Sequence, residues 1–408
     1  MATQKIAGDQ TSQLHEAPAL EELTSTGEGL GLEAEGQENG SEIKAPFDPS
    51  LIDVITHTRT VDLLLTRLKE GELILDPEFQ RRANIWSNAR KSGLIESILL
   101  RIPLPSLYVS EDKDGVYTVV DGLQRLCAIA HFVNVESLNA AAKVKLEPLQ
   151  LMGLQALGEY KDAFYKDLPR PLQRRINETE LTMHVIRPGT PTDVKFNIFA
   201  RLNQGGMPLT AQEIRNAIYP GDWKAHVRSL SESENFLRAT ERKIKKERMD
   251  DWELIIRFIA YYELARKGLK RPSIQRLDEF LNQTVKETKE WSDAKWEVVS
   301  AAFEKAMAAA PKVFGKHAFR KYYGYTEYRN PVNRGLFESQ SVALAQFSTA
   351  ELERIGMNSK FVLSKLADQF KNNNDFDRAC LSATGSGEAS NIRYRTVSEI
   401  LNEVLDAC

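Results

Sequence analysis

The chain has 408 residues, of which 42% are apolar and 27% charged, and a net charge of −3, ordinary values for a soluble fold of two or three domains. It has no run of ~18 uncharged apolar residues to span a bilayer, and no apolar stretch follows a basic start. Three scattered cysteines, Cys127, Cys380 and Cys408, exclude a disulfide framework and a Cys-based zinc site, so a cytoplasmic protein without membrane contact is expected.

Charge is unevenly distributed. Residues 1–50 carry ten carboxylates against Lys5 and Lys44, a local balance of −8 that leaves +5 on the rest. With six glycines and Phe47 as its one aromatic, this segment offers too little apolar surface to offset the entropy of ordering. Residues 1–46 are expected to be a disordered acidic tail. It serves as a solubilising extension or, less simply, as a flap that screens a basic surface from polyanions.

Order is expected from about Leu51. Thr60 reads as the cap of a helix over VDLLLTRLKEG that stops at Gly71. After the extended ELILDPEF, Ser87 caps a second helix, in which Leu94, Ile95, Ile98 and Leu99 recur at helical spacing. IPLPSLYVS and VYTVVD are strands flanking the turn Asp112–Gly115, and Gly122 leads into the helix LQRLCAIAHFV. KVKLEPLQL and LTMHVIRPG read as strands, with a helix at LPRPLQRRINE between them. From Pro191 the pattern is helical almost to the end. The fold class is thus α+β: a mixed α/β domain over 47–190, then an all-helical domain over 191–408.

Three segments hold candidate chemistry. In Asp121-Gly122-Leu123-Gln124-Arg125 a strand ends in a carboxylate, turns on glycine and enters a helix. Amides at a helix start favour anions, and Arg125 adds a forked cation suited to phosphate. Asp121 has the chemistry to hold a metal ion or a water, and Gln124 to orient that water. The plainer alternative is a helix cap at Asp121 and an ion pair at Arg125. Gln80 and Arg81, ahead of Trp86, make a second polar turn or a solvated surface. Near Asn203, Gly205-Gly206 tightens a turn before the capping box Thr210–Glu213.

Together these motifs resemble the N-terminal domain of GmrSD-type modification-dependent restriction systems, a ParB-like or sulfiredoxin-like group. The family pattern of Gln-Arg before Trp is met by Gln80, Arg81 and Trp86, and Ile-Pro before a strand by Ile102-Pro103. Its Asp-Gly-Gln-Gln-Arg is met by Asp121 to Arg125, and Phe-x-Arg-x-Asn-x-Gly-Gly-x-x-Leu-x-x-x-Glu-Ile-Arg from Phe199 to Arg215. The likeness extends through Arg334-Gly-Leu-Phe337-Glu338.

The resemblance implies a ParB/sulfiredoxin-like nucleotide-binding domain in a system of DNA restriction or phage defence, using a nucleoside triphosphate with Mg²⁺. In that reading Asp121, Gln124 and Arg125 are catalytic, Asp121 is the metal ligand, and Gln80, Arg81, Gly122, Arg125 and Asn203 bind the phosphates. Leu123 stands where the family has glutamine, which puts phosphate binding ahead of turnover. The alternative is a non-catalytic module that binds DNA or a partner.

Many relatives also carry a His-Asn-His nuclease domain. The six histidines here stand alone, and none follows His317, so DNA cutting is expected of a separate nuclease subunit. Two basic stretches are candidates for DNA contact, Lys243, Lys245 and Lys246 in the first and Arg320, Lys321 and Arg329 among tyrosines in the second. Solvated faces and core tyrosines are the ordinary explanation of both.

Overall fold

Strands in which apolar and polar residues alternate, such as Leu107–Glu111 and Glu180–Ile186, can bury one face and leave the other polar. The computed structural model describes residues 20–23, 29–34, 52–75, 86–202, 210–219, 221–246, 248–272, 276–324, 329–381 and 386–407. Contacts group the chain into two units, Ile43–Pro220 and Met1–Glu42 with Gly221–Cys408. None of the described helices is long and apolar enough to cross a membrane.

A short hairpin, β1 (Glu21–Leu23) and β2 (Gly29–Glu33), belongs to the second unit. The first unit is built on β3 (Val54–Thr60), β4 (Leu73–Ile74), β5 (Leu107–Glu111), β6 (Tyr117–Asp121) and β7 (Glu180–Ile186), in the order β3-β7-β5-β6-β4. Pairs β3–β7 and β5–β6 are antiparallel, β5–β7 and β4–β6 parallel. Helices α1 (Val61–Lys69), α2 (Asn88–Leu99), α3 (Leu123–Val133), α4 (Val135–Ala142) and α5 (Arg170–Glu178) accompany the sheet, followed by α6 (Thr192–Leu202) and α7 (Ala211–Ile218). Thr60 and Ser87 cap α1 and α2 as their sequences predict, accepting from the amides of Leu63 and Arg90.

Leu107, Val109, Tyr117, Val119, Leu181, Met183 and Val185 point into one core with Leu64, Ile95, Leu126, Leu138 and Ile176. Each such aliphatic side chain contributes about 1.5–3 kcal/mol by leaving water.

Several elements differ from the sequence reading. Residues 143–151, expected as a strand, have no ladder partner among the described residues. Side chains take up their backbone instead: Asn139 bonds both ways with Leu146 at 2.9 Å, and His131 Nε2 lies 2.7 Å from the Glu147 carbonyl. The next loop is held by Glu96, which accepts from the amides of Gln155, Ala156 and Leu157 at 3.1, 2.7 and 2.9 Å. Helices α6 and α7, expected in the helical domain, group with the sheet. Lys195 Nζ lies 3.1 Å from Ser110 Oγ on β5, α7 packs against β6, and the Tyr219 hydroxyl donates to Asp193 at 2.9 Å.

The second unit holds α8 (Trp223–Glu232), α9 (Glu234–Ala239), α10 (Asp250–Arg266), α11 (Leu277–Glu287), α12 (Asp293–Phe314), α13 (Arg334–Gln346), α14 (Thr349–Met357), α15 (Ser359–Asn372), α16 (Asn374–Leu381) and α17 (Gly387–Asp406). Part of the segment expected to be a disordered tail is built into it. Leu30 and Leu32 of β2 are buried, and the Glu33 amide donates to Val332 O at 2.8 Å while the amides of Val332 and Lys245 donate to Gly31 O and Leu30 O at 3.0 and 3.2 Å. Gly31 has φ 78°, and a Cβ there would overlap the Lys243 carbonyl oxygen. The buried Glu33 carboxylate meets Lys321 Nζ and, at 3.1 Å, Asn333 Nδ2. A mean composition dominated by charge and glycine conceals these two leucines and one matched carboxylate.

Two predictions follow from these carboxylates. Truncating Glu96 removes the acceptor of three partly buried amides, so Glu96→Ala is expected to cost about 1–3 kcal/mol in urea unfolding. Burial pushes Asp250 up to about 6, against the opposing pull of Arg334, whose Nη2 is 2.7 Å from its Oδ1. The folded chain therefore binds this proton more tightly than the unfolded chain, where the carboxyl titrates near ~4. Its contribution to stability is full below that value, falls as pH rises toward about 6, and is level above. Asp250→Asn is expected to flatten that part of the stability–pH profile, read from unfolding midpoints across the window.

Candidate functional site

Strand β6 ends at Asp121, and the chain reverses into α3 through Gly122 at φ 88°. A Cβ at this position would overlap Leu107 Cδ2 and stand 3.2 Å from Arg125 Nη2, so both the dihedral and the space require glycine. The N-cap Gly122 has no side chain with which to cap α3, and the helix start sets the positive end of its dipole beside Asp121. The ladder is irregular here. Val109 pairs with Val119 but Tyr108 with Asp121, one residue more on β6 than on β5, a bulge that re-aims the strand end.

Arg125 ties this turn together. Its Nη2 donates to Asp121 Oδ2 at 3.0 Å, and its Nη1 to the carbonyls of Ser106, at 3.1 Å, and Pro105. Burial lowers its pKa, opposed by Asp121 and the Tyr108 phenol. The Arg125 side chain is 14% exposed and that of Asp121 44%. In this arrangement Arg125 is a positioning residue, and Asp121 is the group of the pair that water and ligands reach. Gln124 follows Gly122 on the first turn of α3.

The other sequence candidates fare differently. Gln80, Arg81 and Asn203 lie outside the described residues. Thr210 and Glu213 form the expected capping box, with bonds of 3.1 and 2.6 Å, and Arg215 is buried against Gln212 at 2.5 Å.

Of the residues read as nucleic-acid contacts, Lys243 is exposed and Lys245 and Lys246 are half-buried. Arg320 and Lys321 are buried: Arg320 donates to Asn330 O at 2.6 Å and pairs with Glu241 at 3.3 Å, and Lys321 pairs with Glu33. Exposed Arg329 also pairs with Glu241. Arg334 and Glu338 serve the interior as well: Arg334 meets Glu22 and Asp250 at 2.9 and 2.7 Å, and Glu338 sits between Arg257, at 3.5 Å, and Arg393.

Tyr108 and Lys195 were not singled out by the sequence, although the alternation in LYVSE already places Tyr108 and Ser110 on one face. Among the described residues, no group of three His, Cys, Asp or Glu side chains is placed to hold a metal ion.

The turn predicts its own sensitivity. Gly122→Ala meets a left-handed dihedral and an occupied space, and is expected to cost about 2 kcal/mol or more, seen as a lower melting temperature. Arg125→Lys loses the fork that joins Asp121 to two carbonyls and is expected to lower it as well.

The sequence model described as GmrSD restriction endonuclease, N-terminal domain, matches residues 62–220. No curated protein and no solved structure matches the chain. The matched span contains β4 to β7, α1 to α7 and the Asp121–Arg125 turn. Residues 62–220, less than half of the chain, are thus similar to the N-terminal domain of the GmrSD restriction endonuclease.

Proposed function

We propose that the sheet-bearing unit binds a nucleoside triphosphate at the β6–α3 turn and works within a restriction or phage-defence system that acts on DNA, together with a separate nuclease. The observation that carries this reading is the combination at Gly122. A glycine-only turn brings a half-exposed carboxylate beside the positive end of a helix whose N-cap residue has no side chain. The similarity of residues 62–220 to a restriction endonuclease domain supports the DNA context.

A Mg²⁺ ion carried by the triphosphate fits one half-exposed carboxylate, because Mg²⁺ keeps several waters and takes most of its other ligands from phosphate. Asp121 would hold it, and it would neutralise charge on the phosphates. The chain's own part is positioning: first-turn amides face the terminal phosphate, Gln124 orients a water toward its phosphorus, and Arg125 holds Asp121 and the helix start in register. Gln80, Arg81 and Asn203 complete the phosphate contacts in this reading. Lys243, Lys245 and Lys246 are the cations assigned to DNA.

A second reading is binding without turnover. Two features favour it: Arg125 already has three internal acceptors, and Leu123 replaces a motif glutamine. Phosphate release from the four ribonucleoside triphosphates with Mg²⁺, with and without DNA, separates the two. Turnover predicts release that falls at least tenfold in Asp121→Asn. A nucleotide-dependent rise in melting temperature without release selects the binding module. Neither signal in the folded wild type overturns the nucleotide reading.

A further inference from the structure

The sheet has a second face, polar apart from the buried Val120 and Ile186, with α6 reaching it at Ser110 and α7 at β6. Core side chains on β5, β6 and β7 alternate with Tyr108, Ser110, Thr118, Thr182 and His184, and Thr56 joins them from β3. Polar residues are ordinary where a sheet face is partly open to water, so polarity alone assigns nothing. The order of the residues says more. Thr56 pairs with His184, His184 with Tyr108, and Tyr108 with Asp121, a single row across four strands.

Two contacts fix the middle of this row. The rings of Tyr108 and His184 stack with centroids 4.7 Å apart and planes at 29°, and His184 Nδ1 lies 2.9 Å from Thr56 Oγ1. Both rings are partly exposed, and Thr56 is exposed. At its other end the row joins the turn, where Tyr108 pairs across the ladder with Asp121, the ion-pair partner of Arg125.

We infer that this row is the nucleoside subsite of the triphosphate site: with phosphates at the β6–α3 turn, the base lies on the Tyr108–His184 pair and the Thr56 hydroxyl meets its edge. The inference rests on the proposed nucleotide site and adds its specificity. Three strand-to-strand steps of ~4.8 Å carry the row about 14 Å from Asp121, a span comparable to an extended nucleoside triphosphate. A planar aromatic ring set beside a phosphate site suits a base, because every base has a face to stack. The wider purine ring covers more of the pair than a pyrimidine, so purine triphosphates are the expected ligands. The Thr56 bond fixes the imidazole plane, so the platform is formed before the ligand arrives.

The test compares a ligand with a base to one without. Binding of purine and pyrimidine nucleoside triphosphates and of inorganic tripolyphosphate, each with Mg²⁺, is measured on the full chain and on Tyr108→Ala, Tyr108→Phe and His184→Ala. All proteins are first checked for wild-type melting temperature. The expected result is a roughly tenfold loss of purine triphosphate affinity in Tyr108→Ala, with tripolyphosphate unchanged and Tyr108→Phe close to wild type.

His184→Ala is expected to narrow the preference for purines. A Tyr108→Ala protein that binds nucleotide as the wild type does overturns the subsite. So does an equal loss for nucleotide and tripolyphosphate, which would confine Tyr108 to supporting Arg125. Should the alanine variant unfold, Tyr108→Leu, apolar but not aromatic, carries the comparison with Tyr108→Phe. A wild-type chain that binds neither probe fails at the phosphate turn itself, and the subsite falls with it.

Discussion

No side chain fits between β6 and α3. Leu107 occupies the space where a Cβ would stand at residue 122, Arg125 closes the other side, and the backbone lies in the left-handed region. Everything at the candidate site depends on this close approach. It lets α3 begin immediately after the strand, sets Arg125 against two carbonyls of the segment before β5, and leaves Asp121 as the accessible carboxylate. The bulge opposite Tyr108 belongs to the same adjustment, since the strand gains a residue where it must turn away.

The second unit obeys a different constraint, the matching of charges taken out of water. Glu33, Asp250 and Glu338 are each nearly inaccessible, and each meets lysine or arginine. Pairs of this kind add little net stability, but removal of one partner costs several kcal/mol. They therefore act mainly as specifiers of register. This also accounts for the basic stretches that the sequence offers as polyanion contacts: Arg320 and Lys321 are consumed inside the fold, which leaves the 243–246 stretch more open to solvent.

What was legible in the sequence followed the range of the interaction. Thr60, Ser87 and Thr210 cap their helices through bonds spanning three residues, and each was readable from neighbours. The Asp121–Arg125 turn was readable for the same reason. Residues 143–151 show the opposite case. Their alternation is real, since Leu149 and Leu151 are buried, but Asn139 and His131 meet their backbone where a strand would need a ladder. The strand at Val54–Thr60 pairs across more than a hundred residues, and the row Thr56–His184–Tyr108 adds a second long-range pairing, neither of which a local pattern encodes. The hairpin was hidden by averaging, because its order rests on two leucines and one carboxylate in an otherwise charged, glycine-rich segment.

That hairpin gives the chain a nested construction. Ile43–Pro220, the unit with the sheet, lies in sequence between the two pieces of the other unit. Glu33 is 288 residues from Lys321 and 300 from Asn333. During synthesis the strand with Glu33 emerges before the sheet unit, and none of its partners at Lys245, Val332 or Asn333 exists until that unit has been made. The sheet unit has all its strands in hand by Ile186 and is free to fold while β2 waits. Closing so long a loop is slow relative to local helix formation, which makes docking of β2 a late event. Strand β2 is thus made before the sheet unit and used after it, and its docking marks the chain as made through Arg334.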